Sequence, residues 1–273
     1  MSAVAKNSMS SVSSEDDEGA RLIHHQVHGA IDASRPILVL IHGWCCDASY
    51  WREQIDFFSG KFTVVTLDLS GHGRSSTNRA EYSMSSFAED VRSVVLSIPS
   101  NAPVTVVGHS MGGFVAVEVA GLLRDRVRAV IGVDTFRDTG LPALSATDFE
   151  QAIAGFINDF ALTTRLFVEN SFFRTDSNPD LRRWIVDDMA SADPEIGIAA
   201  LRGINEWDGA RSLSQVDVPV VAINSDLRDT DDARIKRFAP NFRLVTISGC
   251  GHFPMMEDPA RFNAALLAEL DKL

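Results

Sequence analysis

Only three cysteines, two tyrosines and 25 basic residues occur in this chain of 273, against 37 acidic residues. The cysteines, Cys45, Cys46 and Cys250, make no C-x-x-C pair and no His/Cys cluster with metal spacing. That excludes a zinc finger and a disulfide-stapled scaffold, and adjacent Cys45 and Cys46 read as ordinary thiols. The net charge of −12 comes without any Lys/Arg cluster that could release counterions from phosphates, so no nucleic-acid partner is expected. No apolar run reaches the roughly 18 residues of a membrane span. Residues 1–20 lack the basic start and apolar stretch of a signal peptide. They are Ser-rich and then acidic at Glu15-Asp16-Asp17-Glu18, which predicts a disordered tail on a soluble, cytoplasmic protein.

What is present is a large apolar inventory. Hydrophobic residues make up 45% of the chain, enough for one large α/β domain. Short β-branched runs alternate with helical patterns. Pro36-Ile-Leu-Val-Leu-Ile41, Phe62-Thr-Val-Val-Thr-Leu67, Val104-Thr-Val-Val-Gly108, Arg128-Ala-Val-Ile-Gly-Val133, Val218-Pro-Val-Val-Ala-Ile223 and Phe242-Arg-Leu-Val-Thr-Ile247 read as strands, most of them fully buried. Residues 21–28 read as an edge strand, on which His24, His25 and His28 should meet solvent. Apolar periodicity predicts helices over 87–98, 114–123 and 259–273. This alternation means a mostly parallel sheet with helices on both faces. Residues 140–212 break the rhythm, with helical patterns at 148–160 and 180–189 and no clear strand.

One stretch carries chemistry. Gly108-His109-Ser110-Met111-Gly112-Gly113 places a serine between glycines at a strand-to-helix junction, the sequence form of a nucleophile elbow. A serine hydroxyl is a weak nucleophile, so it needs a base within reach and donors for the developing oxyanion. Near the C-terminus, Gly249-Cys250-Gly251-His252-Phe253 follows a strand and offers an imidazole that can take the serine proton and return it to a leaving group.

Taken in order, His42-Gly43-Trp44, Asp68-Leu-Ser-Gly71-His72-Gly73-Arg74-Ser75, the Ser110 motif and Gly251-His252-Phe253 resemble the α/β-hydrolase superfamily over about residues 21–273. The resemblance implies an α/β-hydrolase fold, with core segments 21–139 and 213–273 and a helical lid over 140–212. It implies Ser110 as nucleophile, His252 as general base, and the backbone N–H groups of Trp44 and Met111 as the oxyanion hole. In many such proteins the acid follows the strand that ends here at Ile223, where Asp226 and Asp229 stand. In some relatives it ends the preceding strand, where Asp134 stands. Asp134 is preferred, with Asp226 as the alternative and Asp229 last. No metal and no organic cofactor is implied.

Phenylalanine is concentrated around the expected lid, at positions 136, 149, 156, 160, 167, 172 and 173. Most should form the lid's own core, while Phe136, Phe156, Phe160 and Phe253, with His42 and His109, are candidates to line a substrate pocket. The expected activity is a carboxylesterase-type serine hydrolase acting on an apolar or aromatic small molecule. Its alternatives are a C–C bond hydrolase on the same triad, a cofactor-independent dioxygenase of N-heteroaromatic rings, and a non-catalytic ligand receptor. Met111 and Cys46 depart from the histidines that the dioxygenases carry there, and the serine excludes an aspartate-nucleophile dehalogenase.

Overall fold

Strands that are apolar or β-branched along most of their length have no polar face to offer water, and here they lie at the centre of the sheet. The computed structural model describes residues 8–14 and 21–273. Its strands are β1 (Ser8–Ser14), β2 (Arg21–His28), β3 (Ile37–Ile41), β4 (Thr63–Leu67), β5 (Val104–His109), β6 (Val127–Val133), β7 (Val220–Ser225) and β8 (Arg243–Ile247). They form one sheet in the order β1-β2-β4-β3-β5-β6-β7-β8. From β4 to β8 all neighbours are parallel, while β2 runs antiparallel to both β1 and β4. Every residue of β3, β4, β5 and β7 is buried. Burying each Val, Leu or Ile side chain contributes about 1.5–3 kcal/mol, so these strands anchor the elements around them.

Helices cover the sheet. Upstream of β6 are α1 (Arg52–Phe58), α2 (Met84–Ser97) and α3 (Met111–Leu123). Ser83 starts α2 with a capping box in which its side chain accepts from Ser86 N and the Ser86 hydroxyl accepts from Ser83 N, which satisfies donors that the first turn leaves open. Between β6 and β7 lie α4 (Ala146–Asn158), α5 (Phe160–Ser171), α6 (Pro179–Ala190), α7 (Pro194–Glu206) and α8 (Gly209–Ser214). After β7 come α9 (Asp232–Ile235), α10 (Pro254–Glu257) and α11 (Pro259–Leu270). No helix among the described residues is long and apolar enough to cross a membrane.

Three expectations change. Part of the tail expected to be disordered, residues 8–14, is strand β1, paired along β2; the rest of 1–20 lies outside the described residues. A ladder uses backbone groups alone, so a serine-rich segment can cover an open strand edge. With that edge covered, β2 is internal. His25 and His28, expected to meet solvent, are buried, with His28 Nε2 hydrogen-bonded to Thr66 Oγ1 of β4 at 3.2 Å. Finally, the helix expected over 148–160 is α4 and stops at Asn158, because Asp159 leaves helical geometry and caps α5 by accepting from Leu162 N at 3.0 Å.

Candidate active site

Ser110 sits where β5 turns into α3, with φ 52° and ψ −118°. A serine rarely adopts a positive φ, and packing must hold it there. The glycines permit the turn: a Cβ on Gly108 would lie 2.0 Å from Gly112 O, and one on Gly112 would lie 2.4 Å from His42 O. Ser110 N donates to Val133 O at 2.9 Å, and its carbonyl accepts from the Thr135 hydroxyl at 2.9 Å. The elbow is thereby fastened to the end of β6.

His252 lines the same cavity as Ser110. Its Nδ1 is 2.6 Å from Asp134 Oδ2. Because a carboxylate only accepts, Nδ1 carries the proton, and a neutral ring then keeps its lone pair on Nε2. The backbone of His252 is held twice: its N–H donates to Phe172 O at 2.7 Å, and its carbonyl accepts from His109 Nε2 at 2.8 Å. Its ring lies between those of Phe172 and His109, at centroid distances of 4.2 and 4.7 Å. Glu257 closes the loop by accepting from Gly251 N and Phe253 N, and from the Ser177 hydroxyl.

Asp134 follows β6 with φ 49° and is buried. Its Oδ1 accepts from Ser225 N at 2.7 Å, Ser225 Oγ at 2.8 Å and Arg137 Nη2 at 2.6 Å. Burial pushes this carboxyl up, but the hydrogen bond and charge of His252, the Arg137 guanidinium and the Ser225 N–H outweigh it, holding the carboxyl below its ordinary value. Asp226 instead accepts from Gly249 N at 2.8 Å and faces Arg174 at 3.4 Å, with its side chain 38% exposed. Asp229 is exposed. The carboxylate that meets His252 is therefore that of Asp134.

Met111 opens α3, so its N–H has no acceptor within the helix and lies at the positive end of the helix dipole. The loop of Trp44 is set by His42, whose Nδ1 donates to Gly43 O at 2.8 Å and whose Nε2 accepts from Leu69 N at 2.9 Å. Burial pushes His42 down to about 4, and burial together with the neighbouring His252 pushes His109 down to about 3. Both rings are neutral struts. The Trp44 indole donates to Gly197 O on α7 at 2.8 Å, joining the loop to the inserted helices.

The cavity beside Ser110 has a volume of about 590 Å³. Phe136 lines it, together with Phe114, Phe167, Phe172, Leu201 and Ile204. Other expected pocket residues fall elsewhere. Phe156 and Phe160 pack edge-on against Trp44, with centroids at 5.7 and 5.9 Å, and do not reach the cavity. His109 and Phe253 border only a void of about 10 Å³ beneath Ser110, and His42 borders neither space. Arg137, Arg228 and the apolar wall of α7 also line the cavity, and none of them was expected from the sequence. Only Arg137 left a local signal, a cation three residues after a candidate acid. Among the described residues, no three His, Cys, Asp or Glu side chains cluster so as to hold a metal ion.

A model of the alpha/beta hydrolase family matches residues 38–265. A pimeloyl-[acyl-carrier protein] methyl ester esterase of Aliivibrio salmonicida is 25% identical over 236 residues, covering 82% of this chain and 88% of the relative. A 3-oxoadipate enol-lactonase of Acinetobacter baylyi is 26% identical over 252 residues, covering 88% and 90%. Among solved structures, a thermophilic esterase of Thermogutta terrifontis superposes with a TM-score of 0.81 at 23% identity, covering 97% of this chain and 98% of that one.

Proposed function

Because this chain belongs to the alpha/beta hydrolase family, we propose that it is a serine hydrolase that cleaves an ester of an apolar or aromatic small molecule through an acyl-enzyme. The observation that carries this is the Asp134–His252 bond of 2.6 Å on a ring that shares its cavity with Ser110. Two relatives act on ester bonds by their names, a methyl ester esterase and an enol-lactonase, which supports the bond type and leaves the substrate to chemistry.

Ser110 Oγ attacks the ester carbonyl as His252 Nε2 takes its proton, and Asp134 stabilises the imidazolium. The oxyanion of the tetrahedral intermediate accepts from the N–H groups of Met111 and Trp44, a pair of which each member typically contributes about 3–4 kcal/mol. Collapse breaks the bond to the alcohol oxygen, which receives its proton from His252. Water, deprotonated by the same imidazole, then releases the acid and restores Ser110. The aromatic and aliphatic wall selects an apolar acyl or alcohol group, because its burial on binding is favourable without any directed bond.

The test is burst release of nitrophenol from a short-chain nitrophenyl ester. Wild type gives a burst matched to enzyme concentration, and Ser110→Ala abolishes it. Undiminished turnover by a folded Ser110→Ala variant overturns the reading.

A further inference from the structure

Arg137 is a charged side chain pressed against the acid of the proposed triad, and the triad chemistry above leaves it without a task. Its side chain is 6% exposed and that of Asp134 4%. Resting on the serine-hydrolase reading, we propose that Arg137 is a positioning residue: it fixes the Asp134 carboxylate and offsets its charge, so that the Asp134–His252 pair takes up a proton only at a lower pH than it would without the guanidinium.

Oδ1 of Asp134 is fully engaged by Arg137 Nη2 and by the N–H and hydroxyl of Ser225. Oδ2 is left to His252 alone. The guanidinium is itself anchored, since Nη2 also donates to Ser225 O at 2.9 Å and Nη1 to Thr230 Oγ1 at 3.0 Å. Thr230 accepts in turn from Asn224 Nδ2 at 3.0 Å, and Asn224 exchanges two bonds with the backbone of Thr135. The carboxylate plane is therefore set by β7 and the turn after β6, independently of the histidine that it must orient. Ser225 ends β7, so the strand next to the acid supplies donors to it.

The charge has a separate consequence. A lone buried carboxylate favours the imidazolium strongly and delays the return of the neutral base. A cation on the far side of the carboxylate cancels much of that attraction, and burial keeps water from screening it. The other groups around the pair do not substitute for it. His109, from β5, is neutral, and Glu257, at the end of α10, is occupied by Gly251 N and Phe253 N. Around Arg137 itself stand Asp138, Asp229 and Arg228, and Arg234 donates to its backbone carbonyl. Of the acids near Arg137, Asp134 alone is buried.

The experiment compares wild type, Arg137→Met and Arg137→Lys by the pH profile of kcat/KM on a neutral nitrophenyl ester and by NMR titration of the His252 ring. Arg137→Met should move the acid limb, and the ring titration with it, upward by about one pH unit. Arg137→Lys should keep the limb in place while lowering kcat, because an ammonium keeps the charge but not the fork. Loss of rate in both variants with an unmoved limb and titration overturns the proposal in favour of mere bond-holding. A change confined to KM for carboxylate-bearing esters overturns it in favour of a substrate ligand, since Arg137 also lines the cavity. If Arg137→Met does not fold, Arg137→Gln, neutral but still a donor, is read by the same criteria. The ring titration needs no turnover, so failure of the hydrolase reading and failure of this inference are told apart.

Discussion

Oδ2 of Asp134 and Nδ1 of His252 meet at 2.6 Å across 118 positions of sequence. This bond fixes which ring nitrogen carries the proton, and Asp134→Asn would reverse it, because an amide can donate to Nδ1 and strand the proton on Nε2. The expected result is a fall in kcat of about 10⁴-fold with folding retained. Asp226→Asn should leave kcat close to wild type, since Asp226 serves Gly249 N and Arg174. Steady-state ester hydrolysis by the two variants decides it; the reverse ranking overturns the assignment.

Stability should fall in acid, and the sign follows from buried histidines. Burial pushes His42 down to about 4 and His109 and His72 down to about 3, from an ordinary value of 6.5. Below pH 6.5 the unfolded chain binds protons that the folded one refuses. The stabilisation is therefore complete above 6.5 and is lost as the pH falls toward the folded values, at about 1.4 kcal/mol per pH unit of gap for each group. Asp134, held low in the fold, adds a loss in the same direction at still lower pH. Urea midpoints should drop clearly between about pH 7.5 and 5, and His72→Gln should flatten the slope. A midpoint that is level over this interval contradicts the burial of these rings.

How much of this was legible beforehand depends on how local each signal was. The Ser110 elbow is written in six adjacent residues, because a tight turn constrains its own sequence. Buried parallel strands are legible for a similar reason: with both faces covered, each reads as an unbroken apolar run. Asp134 was ambiguous with Asp226, since each ends or follows a strand and only the tertiary fold decides which one faces an imidazole from the far end of the chain. Phe156 and Phe160 look identical to Phe167 in sequence, yet they back Trp44 while Phe167 lines the cavity. His25 and His28 were misplaced because a strand's own residues do not say which of its faces the fold covers, and the partner of His28, Thr66 on β4, lies 38 positions away.

The histidine loop should tolerate no side chain at Gly251. A Cβ there would lie 2.3 Å from Phe172 O and 2.8 Å from Glu257 Oε1, and the first contact is backbone that cannot rotate away. Gly251→Ala must push the loop off the inserted helices, breaking the bond from His252 N to Phe172 O. A cost of about 1–3 kcal/mol is expected from such overpacking, with kcat reduced more than KM is changed. Thermal unfolding together with the kcat/KM split checks this, and wild-type values for both would show that the loop is not seated as described.

Substrate size should be set from α7, an element that supplies none of the reacting groups. Ile204 and Leu201 form one wall of the cavity of about 590 Å³ beside Ser110. Ile204→Trp would fill part of that space without touching Asp134, His252 or the donors of Met111 and Trp44. Excluding a few methylenes from an apolar pocket changes discrimination by about 10–200-fold. The variant should therefore hydrolyse a nitrophenyl acetate almost as wild type does, while kcat/KM for a hexanoate or benzoate falls by at least about tenfold. Because the acetate rate reports on intact machinery in the same sample, an equal loss on all three esters would mean that Ile204 supports the catalytic geometry rather than bounding the substrate. No change on any ester would place the bound acyl and alcohol groups elsewhere than in this cavity.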